Sequence, residues 1–348
     1  MPDTFAGWPK VLGRLTDGAD LDADMAQAAL GQVLAGEATD AQIAAFIVAL
    51  RQKGETVPEL TGMVRAMLDA AAPLDLPAGT IDIVGAGGAP ARRQHALNVS
   101  TMACLVAAGA GAVVCKHGNR RASSTSGSFD LLEALGIGFE HSPEQLGALV
   151  ADIGIGFAFA RTFHPAMRHA APVRAELGIP TVFNILGPLS HPGRVTRQVI
   201  GVSDPEMGEL MVRVLRANGS ERAIVVTGHD GLDEFSLTGP SQVFDLDAGA
   251  ISEHTVAPED VGLSTCGPAD LVGGDPTDNA AIAEAIVAGT ETGPRRDIVL
   301  LNAAAGLVVA GRAPDLAAGL ELARTAVVDG SAAEVLERLR GAGPATRG

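Results

Sequence analysis

Apolar positions follow two regimes along the chain. Through residue 75 they recur at three- and four-residue steps. Asp22 to Leu34 is rich in Ala and Leu and stops near Gly36, which predicts a helix with a left-handed terminus. Thr39 or Asp40 caps a second helix, AQIAAFIVALRQKG, in which Ile43, Phe46, Ile47 and Leu50 line one face and Gly54 follows the basic end. A third helix, VPELTGMVRAMLDAA, runs into the Pro/Gly linker AAPLDLPAG. Helices this short need partners, so the segment predicts a small helical bundle. After Thr80 the period changes. The β-branched runs IDIV, AVVCK, RQVIGV, RAIVVTG and DIVLLNAAAG are interspersed with Ala-rich helical stretches such as STMACLVAAGAG and FDLLEALG. That alternation predicts a largely parallel sheet covered by helices. The Pro-punctuated stretch HPAMRHAAPVRAELGIPTVFNILGPLSHP reads as a return to the helical layer.

Composition narrows the function classes. The chain has 348 residues, with 25 Lys and Arg against 41 Asp and Glu, a net charge of −16. That balance argues against a surface built for polyanions, and aromatics at 3% give too few rings to stack single-stranded nucleic acid. The three cysteines, Cys104, Cys115 and Cys266, show no C-x-x-C spacing and predict neither a disulfide framework nor a cysteine zinc site. The charge-free run 96–115 contains Asn98, Ser100 and Thr101, so it reads as a buried segment, not a membrane span. The opening MPDTFAGWPK lacks the basic and apolar regions of a secretory signal, and the expected location is the cytoplasm.

Charge is distributed unevenly. From Ile83 through Phe129 there is no Asp or Glu, while Arg92, Arg93, Lys116, Arg120 and Arg121 are present with His95 and His117. A second acid-free window, Ile153 to Ala175, holds Arg161, Arg168, Arg174, His164 and His169. A buried sheet excludes charge, but burial alone would not keep these cations, so the pattern predicts an anion site. Three local elements agree with it. Gly85-Ala86-Gly87-Gly88 after the strand IDIV lets backbone N–H groups approach a ligand, although a tight structural turn reads the same way. Asn98-Val99-Ser100-Thr101 and Ser123-Ser124-Thr125-Ser126-Gly127-Ser128 each open a helix, where hydroxyls and N–H groups serve phosphate binding or ordinary capping. Lys116-His117-Gly118-Asn119-Arg120 follows a strand, and Lys116 suits a phosphate oxygen. His117 taken alone reads as a satisfied half-buried imidazole. The pair Asp233-Glu234, after the strand AIVVTG, is either a magnesium site or a solvated acidic turn.

Together the segments GEATDAQIAAFIVALRQKGET, KHGNRRASSTSGSFDLLEALG, FHPAMRHAAPVRAELGIPTVFNILGPLSHP and GHDGLDE resemble the anthranilate phosphoribosyltransferase family, in family order, over about residues 20–330. The KHGN-R-x-x-SS-x-SG and FN-x-LGPL runs carry most of the resemblance; the related pyrimidine nucleoside phosphorylases share the fold without the first. The resemblance implies an α/β fold of the nucleoside phosphorylase/phosphoribosyltransferase type. A small helical domain, 1–75 joined by about 164–192, would face a larger α/β domain, 76–163 and 193–348, with a central mostly parallel sheet. It implies a homodimer, Mg2+ as cofactor, and phosphoribosyl pyrophosphate (PRPP) with an aromatic acceptor as substrates. Gly85, Gly88, Asn98, Val99, Ser100, Thr101, Lys116, His117, Gly118, Asn119, Arg120, Arg121, Ala122, Ser123, Ser124 and Ser128 would surround PRPP. Ser100, Asp233 and Glu234 would hold the metal, and Gly85, Asn119 and Arg174 the aromatic acid. Lys116, His117 and Arg174 would be the catalytic set, Arg174 as a carboxylate fork and His117 near the nucleophile.

The sequence departs from the family pattern in its Gly-rich loop. A Thr, an Asp and a later hydroxyl of the pattern are here Ala86, Ala89 and Ala96, and the loop is longer, with Arg92 and Arg93 inserted. These arginines are expected to take over part of the metal's charge neutralisation, and double replacement by alanine would test that through PRPP affinity and its Mg2+ dependence. The departures keep two other readings open: a paralogue acting on another aromatic acid or amine, and a non-catalytic nucleic-acid-binding relative.

Overall fold

The computed structural model describes residues 5–87, 97–120 and 126–342. Four helices come first: α1 (Trp8–Thr16), α2 (Ala23–Ala35), α3 (Asp40–Lys53) and α4 (Val57–Asp69). Asp22 caps α2 through the Met25 N–H, and Thr39 with Gln42 makes a reciprocal capping box on α3. Gly62 of α4 lies against α2 so closely that a Cβ there would stand 1.9 Å from the Ala23 carbonyl oxygen, which explains the glycine inside a helical pattern. α1 has no counterpart among the expected helices; Pro9 at its start and only nine residues gave the periodicity too little length.

The remaining chain alternates as expected. β1 (Ile81–Gly85), α5 (Val99–Gly109), β2 (Val114–Gly118), α6 (Ser128–Ala134), α7 (Pro143–Ile153) and β3 (Ile155–Phe159) form one half. The chain then recrosses through α8 (Ala160–Phe163), a 3-10 turn at Pro165–His169, α9 (Ala171–Leu177) and α10 (Val182–Leu189). The other half is β4 (Arg197–Gly201), α11 (Pro205–Ala217), β5 (Arg222–Thr227), β6 (Ser241–Asp247), β7 (Ala250–Val256) and α12 (Pro276–Val287). It closes with α13 (Pro294–Val309), α14 (Leu316–Val328) and α15 (Ser331–Ala342). The sheet order is β3-β2-β1-β4-β5-β6-β7, parallel through β5 and antiparallel in the β6–β7 hairpin.

Two expectations are corrected. DIVLLNAAAG is not a strand but the middle of α13, all of whose residues from Ile298 to Val309 are buried; a helix apolar all round loses the period that would mark it. The KHG of the signature run lies within β2 instead of following it, because Lys116, His117 and Gly118 pair in register with Phe157, Ala158 and Phe159 of β3.

The sheet separates two cores. Ile81, Ile83 and Val114 face one cluster with α5 and α13, whereas Val84, Ile200 and Val225 face a second cluster that continues into α1–α4, α9 and α10. Among the described residues no helix is long and apolar enough to cross a membrane.

Candidate active site

The C-terminal ends of β1, β2 and β4 point at one crevice, beside the place where the strand order reverses. Such crevices receive ligands in open α/β sheets. β1 and β4 pair along their whole length, but β1 and β2 share a single register pair, Ile81 with Val114. Beyond it side chains bridge the seam. Asp82 Oδ1 accepts the His117 N–H at 3.2 Å, and Lys116 Nζ donates to the Ile83 carbonyl at 2.5 Å and to Ser100 Oγ at 3.3 Å. Lys116 is 1% exposed, so its ammonium is fixed beneath the first turn of α5. Burial pushes the Asp82 carboxyl up to about 7, and the Lys116 charge and the His117 N–H pull it back.

The acidic pair lies directly above. A Cβ on Gly201, the last residue of β4, would stand 1.7 Å from the Asp233 carbonyl oxygen; the loop is seated on a residue that has to be glycine. Asn302 of α13 accepts the Phe235 N–H at 3.0 Å and donates to its carbonyl at 3.1 Å. Asp233 Oδ2 accepts the Gly87 N–H at 2.9 Å, and Glu234 Oε1 accepts the Ser100 N–H at 3.0 Å. Asp233 thus reaches the turn after β1, and Glu234 reaches the first turn of α5, which carries Ser100. Two carboxylates and a hydroxyl are hard oxygen donors, and they leave coordination positions for phosphate and water, which fits Mg2+.

The rest of the expected anion set divides. Val99, Ser100 and Thr101 form the buried first turn of α5. Asn98 Oδ1 accepts from Ser126 Oγ at 2.8 Å and from Asn279 Nδ2 at 2.9 Å, so its side chain ties α12 to the start of α6 and does not cap α5. Ser128 packs against Gly118, where an added Cβ would lie 3.4 Å from Ser128 Oγ. Arg120 turns to α6, pairing with Asp130 at 3.3 Å and Glu133 at 2.8 Å over the Phe139 ring. Gly88, Arg92, Arg93, Arg121, Ala122, Ser123 and Ser124 lie outside the described residues.

A cavity of about 890 Å³ opens between these strand ends and the recrossing helices. Gly85, His117, Gly118, Asn119, Arg174 and Phe183 line it, which unites the expected acceptor residues. The half-buried Arg174 guanidinium stacks over the Phe183 ring at 5.1 Å, and desolvation lowers its pKa. Arg161 and Arg168 stand on the same wall, whose lining contains no carboxylate among the described residues. His117 Nε2 and His164 Nε2 are buried without a hydrogen-bond partner among the described residues.

Those two imidazoles belong to a cluster that the sequence did not reveal. The His117 ring lies 5.1 Å from that of His164 and 5.8 Å from that of His191. His191 Nδ1 accepts the Gly193 N–H at 3.0 Å, so its Nε2 is the protonated nitrogen, donating to the Cys115 carbonyl at 2.8 Å. Burial pushes His164 and His191 down to about 4, and burial with the two neighbouring imidazoles pushes His117 well below its ordinary value. All three are neutral near pH 7. His164 stood in the second acid-free window, and Asp82 was the one charge in an apolar strand; Phe183 and His191 lay in the FN-x-LGPL stretch with no role assigned to them, and Asn302 and Gly201 carried no local signal.

Two family models match in succession. The glycosyl transferase family helical bundle domain covers residues 9–71, and the glycosyl transferase family a/b domain covers residues 78–333. An anthranilate phosphoribosyltransferase of Arthrobacter sp. (strain FB24) is 47% identical over 337 residues, 95% of this chain and 94% of the relative. The chain belongs to the anthranilate phosphoribosyltransferase family. The crystal structure of the anthranilate phosphoribosyltransferase from Thermus thermophilus superposes with a TM-score of 0.90 at 42% identity, covering 95% of this chain and 98% of that one. The Saccharomyces cerevisiae enzyme, in complex with PRPP and Mg, superposes with a TM-score of 0.87 at 28% identity over 97% and 98% of the two chains. The same yeast enzyme is also known in complex with 4-fluoroanthranilate. Membership makes this chain a phosphoribosyltransferase, with the helical-plus-α/β architecture of its family.

Proposed function

We propose that this chain transfers the phosphoribosyl group of PRPP to the amine of anthranilate and releases pyrophosphate. The observation that supports the reading is the cavity: an acid-free wall bearing Arg174 stands with the strand-end residues Gly85, His117, Gly118 and Asn119, and buried Lys116 and the Ser100–Glu234 contact lie in the adjoining strand and loop segments. The division into a helical domain, 1–75 with 164–192, and an α/β domain belongs to the same proposal, with the cavity between them. So do Mg2+ and a homodimer.

Arg174 would take the acceptor carboxylate as a fork and orient the ring, with Asn119 beside it. The aromatic amine is weakly basic and uncharged at neutral pH, so its lone pair is available without prior deprotonation. Its nitrogen attacks C1 of the ribose as the bond from C1 to the pyrophosphate oxygen breaks, and the electron pair leaves with pyrophosphate. The amine then sheds a proton; His117, a neutral imidazole lining the cavity, would accept a hydrogen bond from it through Nε2, which has no partner among the described residues. Negative charge would develop on the leaving group near the buried Lys116 ammonium and the N-terminus of α5. Ser100, Asp233 and Glu234 would hold Mg2+, which when bound supplies further charge stabilisation to the phosphates.

The test is turnover with PRPP, MgCl2 and anthranilate, followed as loss of anthranilate fluorescence and release of pyrophosphate. Turnover that requires all three components is expected. Product with another aromatic acid but none with anthranilate would replace the acceptor; salt-sensitive DNA binding with no turnover would replace the reaction.

A further inference from the structure

The acidic pair makes two contacts that metal binding does not require. Asp233 and Glu234 accept the N–H groups of Gly87 and Ser100, at 2.9 and 3.0 Å. Both donors are of the kind that holds phosphate. Gly87, at φ +74°, presents its N–H in the turn after β1. Ser100 lies in the first turn of the eleven-residue α5, where N–H groups have no partner within the helix. The carboxylates therefore occupy donors that a diphosphate would use. The chain behind them is fixed, by Gly201 under the Asp233 carbonyl and by Asn302 on both backbone groups of Phe235. With that backbone held, rotation of the two side chains would clear the donors.

We propose that Asp233 and Glu234 serve in the metal-free enzyme as internal substitutes for phosphate, and that they yield the Gly87 and Ser100 N–H groups to the diphosphate only when turned toward a bound divalent cation. The inference rests on the reading of this crevice as the PRPP site, and it adds an interlock. Metal and diphosphate must favour one another's binding, because the same rotation serves both. Without metal, a diphosphate meets two separable obstacles: the repulsion of two negative charges, and donors already in use. Repulsion alone would follow from any acidic pair; occupied donors follow only from the geometry seen here.

Two conservative variants separate the obstacles. Glu234→Asp keeps the charge and shortens the side chain by one methylene, which withdraws the carboxylate from the Ser100 N–H. Glu234→Gln keeps the reach and removes the charge. The affinity for inorganic pyrophosphate is measured by calorimetry, once in chelator and once with MgCl2, and thermal unfolding confirms that each variant is folded. In chelator, Glu234→Asp is expected to bind pyrophosphate several-fold more tightly than the wild type, and with MgCl2 more weakly. If Glu234→Asp matches the wild type in chelator, whether or not Glu234→Gln tightens, the donors are not competed for and the inference is overturned. If the wild type binds no pyrophosphate even with MgCl2, the PRPP reading falls, and this inference with it.

Discussion

In the proposed reaction, acceptor recognition turns on Arg174. Its guanidinium lies over the Phe183 ring, 5.1 Å from the centroid, a contact that restricts where its fork can stand. Arg174→Ala is expected to raise KM for the aromatic acid roughly 10–100-fold with little change in KM for PRPP, since a charge-assisted pair is lost on one substrate only. Arg174→Lys should fall between, because a point charge cannot make the paired contact. Steady-state kinetics with each substrate varied checks both. The histidine cluster sets the response to acid. His164 and His191 have pKa values near 4 in the folded chain, against about 6.5 unfolded. The unfolded state therefore takes up protons that the folded state refuses, and their contribution to stability is lost as pH falls from about 6.5 toward 4. Asp82, raised to about 7, acts in the opposite sense: its contribution is lost as pH rises through about 4 to 7. With His117 also depressed, the imidazoles outweigh the one carboxyl, and the chain should lose stability in mild acid. His191→Gln should flatten that dependence by about 1 kcal/mol per pH unit, as read from urea unfolding between about pH 7 and about pH 5.

At the scale of elements, the crevice is built by strands that stop pairing. β1 and β2 diverge after their first register pair, and Asp82 and Lys116 supply the bonds that the ladder no longer makes. α13 takes part from the far side of the sheet. Through Asn302 it holds the loop that carries the acidic pair, so a residue remote from the substrates governs how the carboxylates are presented. Asn302→Leu leaves the Phe235 N–H and carbonyl buried without partners. It should cost about 2–3 kcal/mol of stability. It should also raise the Mg2+ concentration needed for half-maximal PRPP binding, measured by titrating metal at fixed PRPP.

For the whole molecule, the helical layer and the sheet share one apolar cluster. It runs from Trp8 and Phe46 through Val182 and Leu186 to Ile200 and Val225. A division of the chain into two sequence families therefore does not imply two independent folding units. Calorimetry of the ligand-free protein is expected to show a single unfolding transition; a separate transition for the helical layer would show that the shared cluster does not couple them. The net charge of −16 is compatible with a polyanionic substrate because, among the described residues, carboxylates are absent from the cavity wall and cations are concentrated there.

The sequence by itself determined the helical bundle and most of the parallel strands, and it is the source of the proposed anion site at their ends. Each of these has a local signature: a spacing of apolar residues, a cap, a glycine after a strand, a window without acid. The tertiary structure alone decided the rest. DIVLLNAAAG became a helix because it is buried on every side, and burial is not written in the segment itself. His191 comes to lie beside His117, and Asn302 beside Phe235, through folding of distant stretches. A buried polar side chain reveals its purpose only through the partner that satisfies it, and these partners are brought together by the sheet, not by the neighbouring sequence.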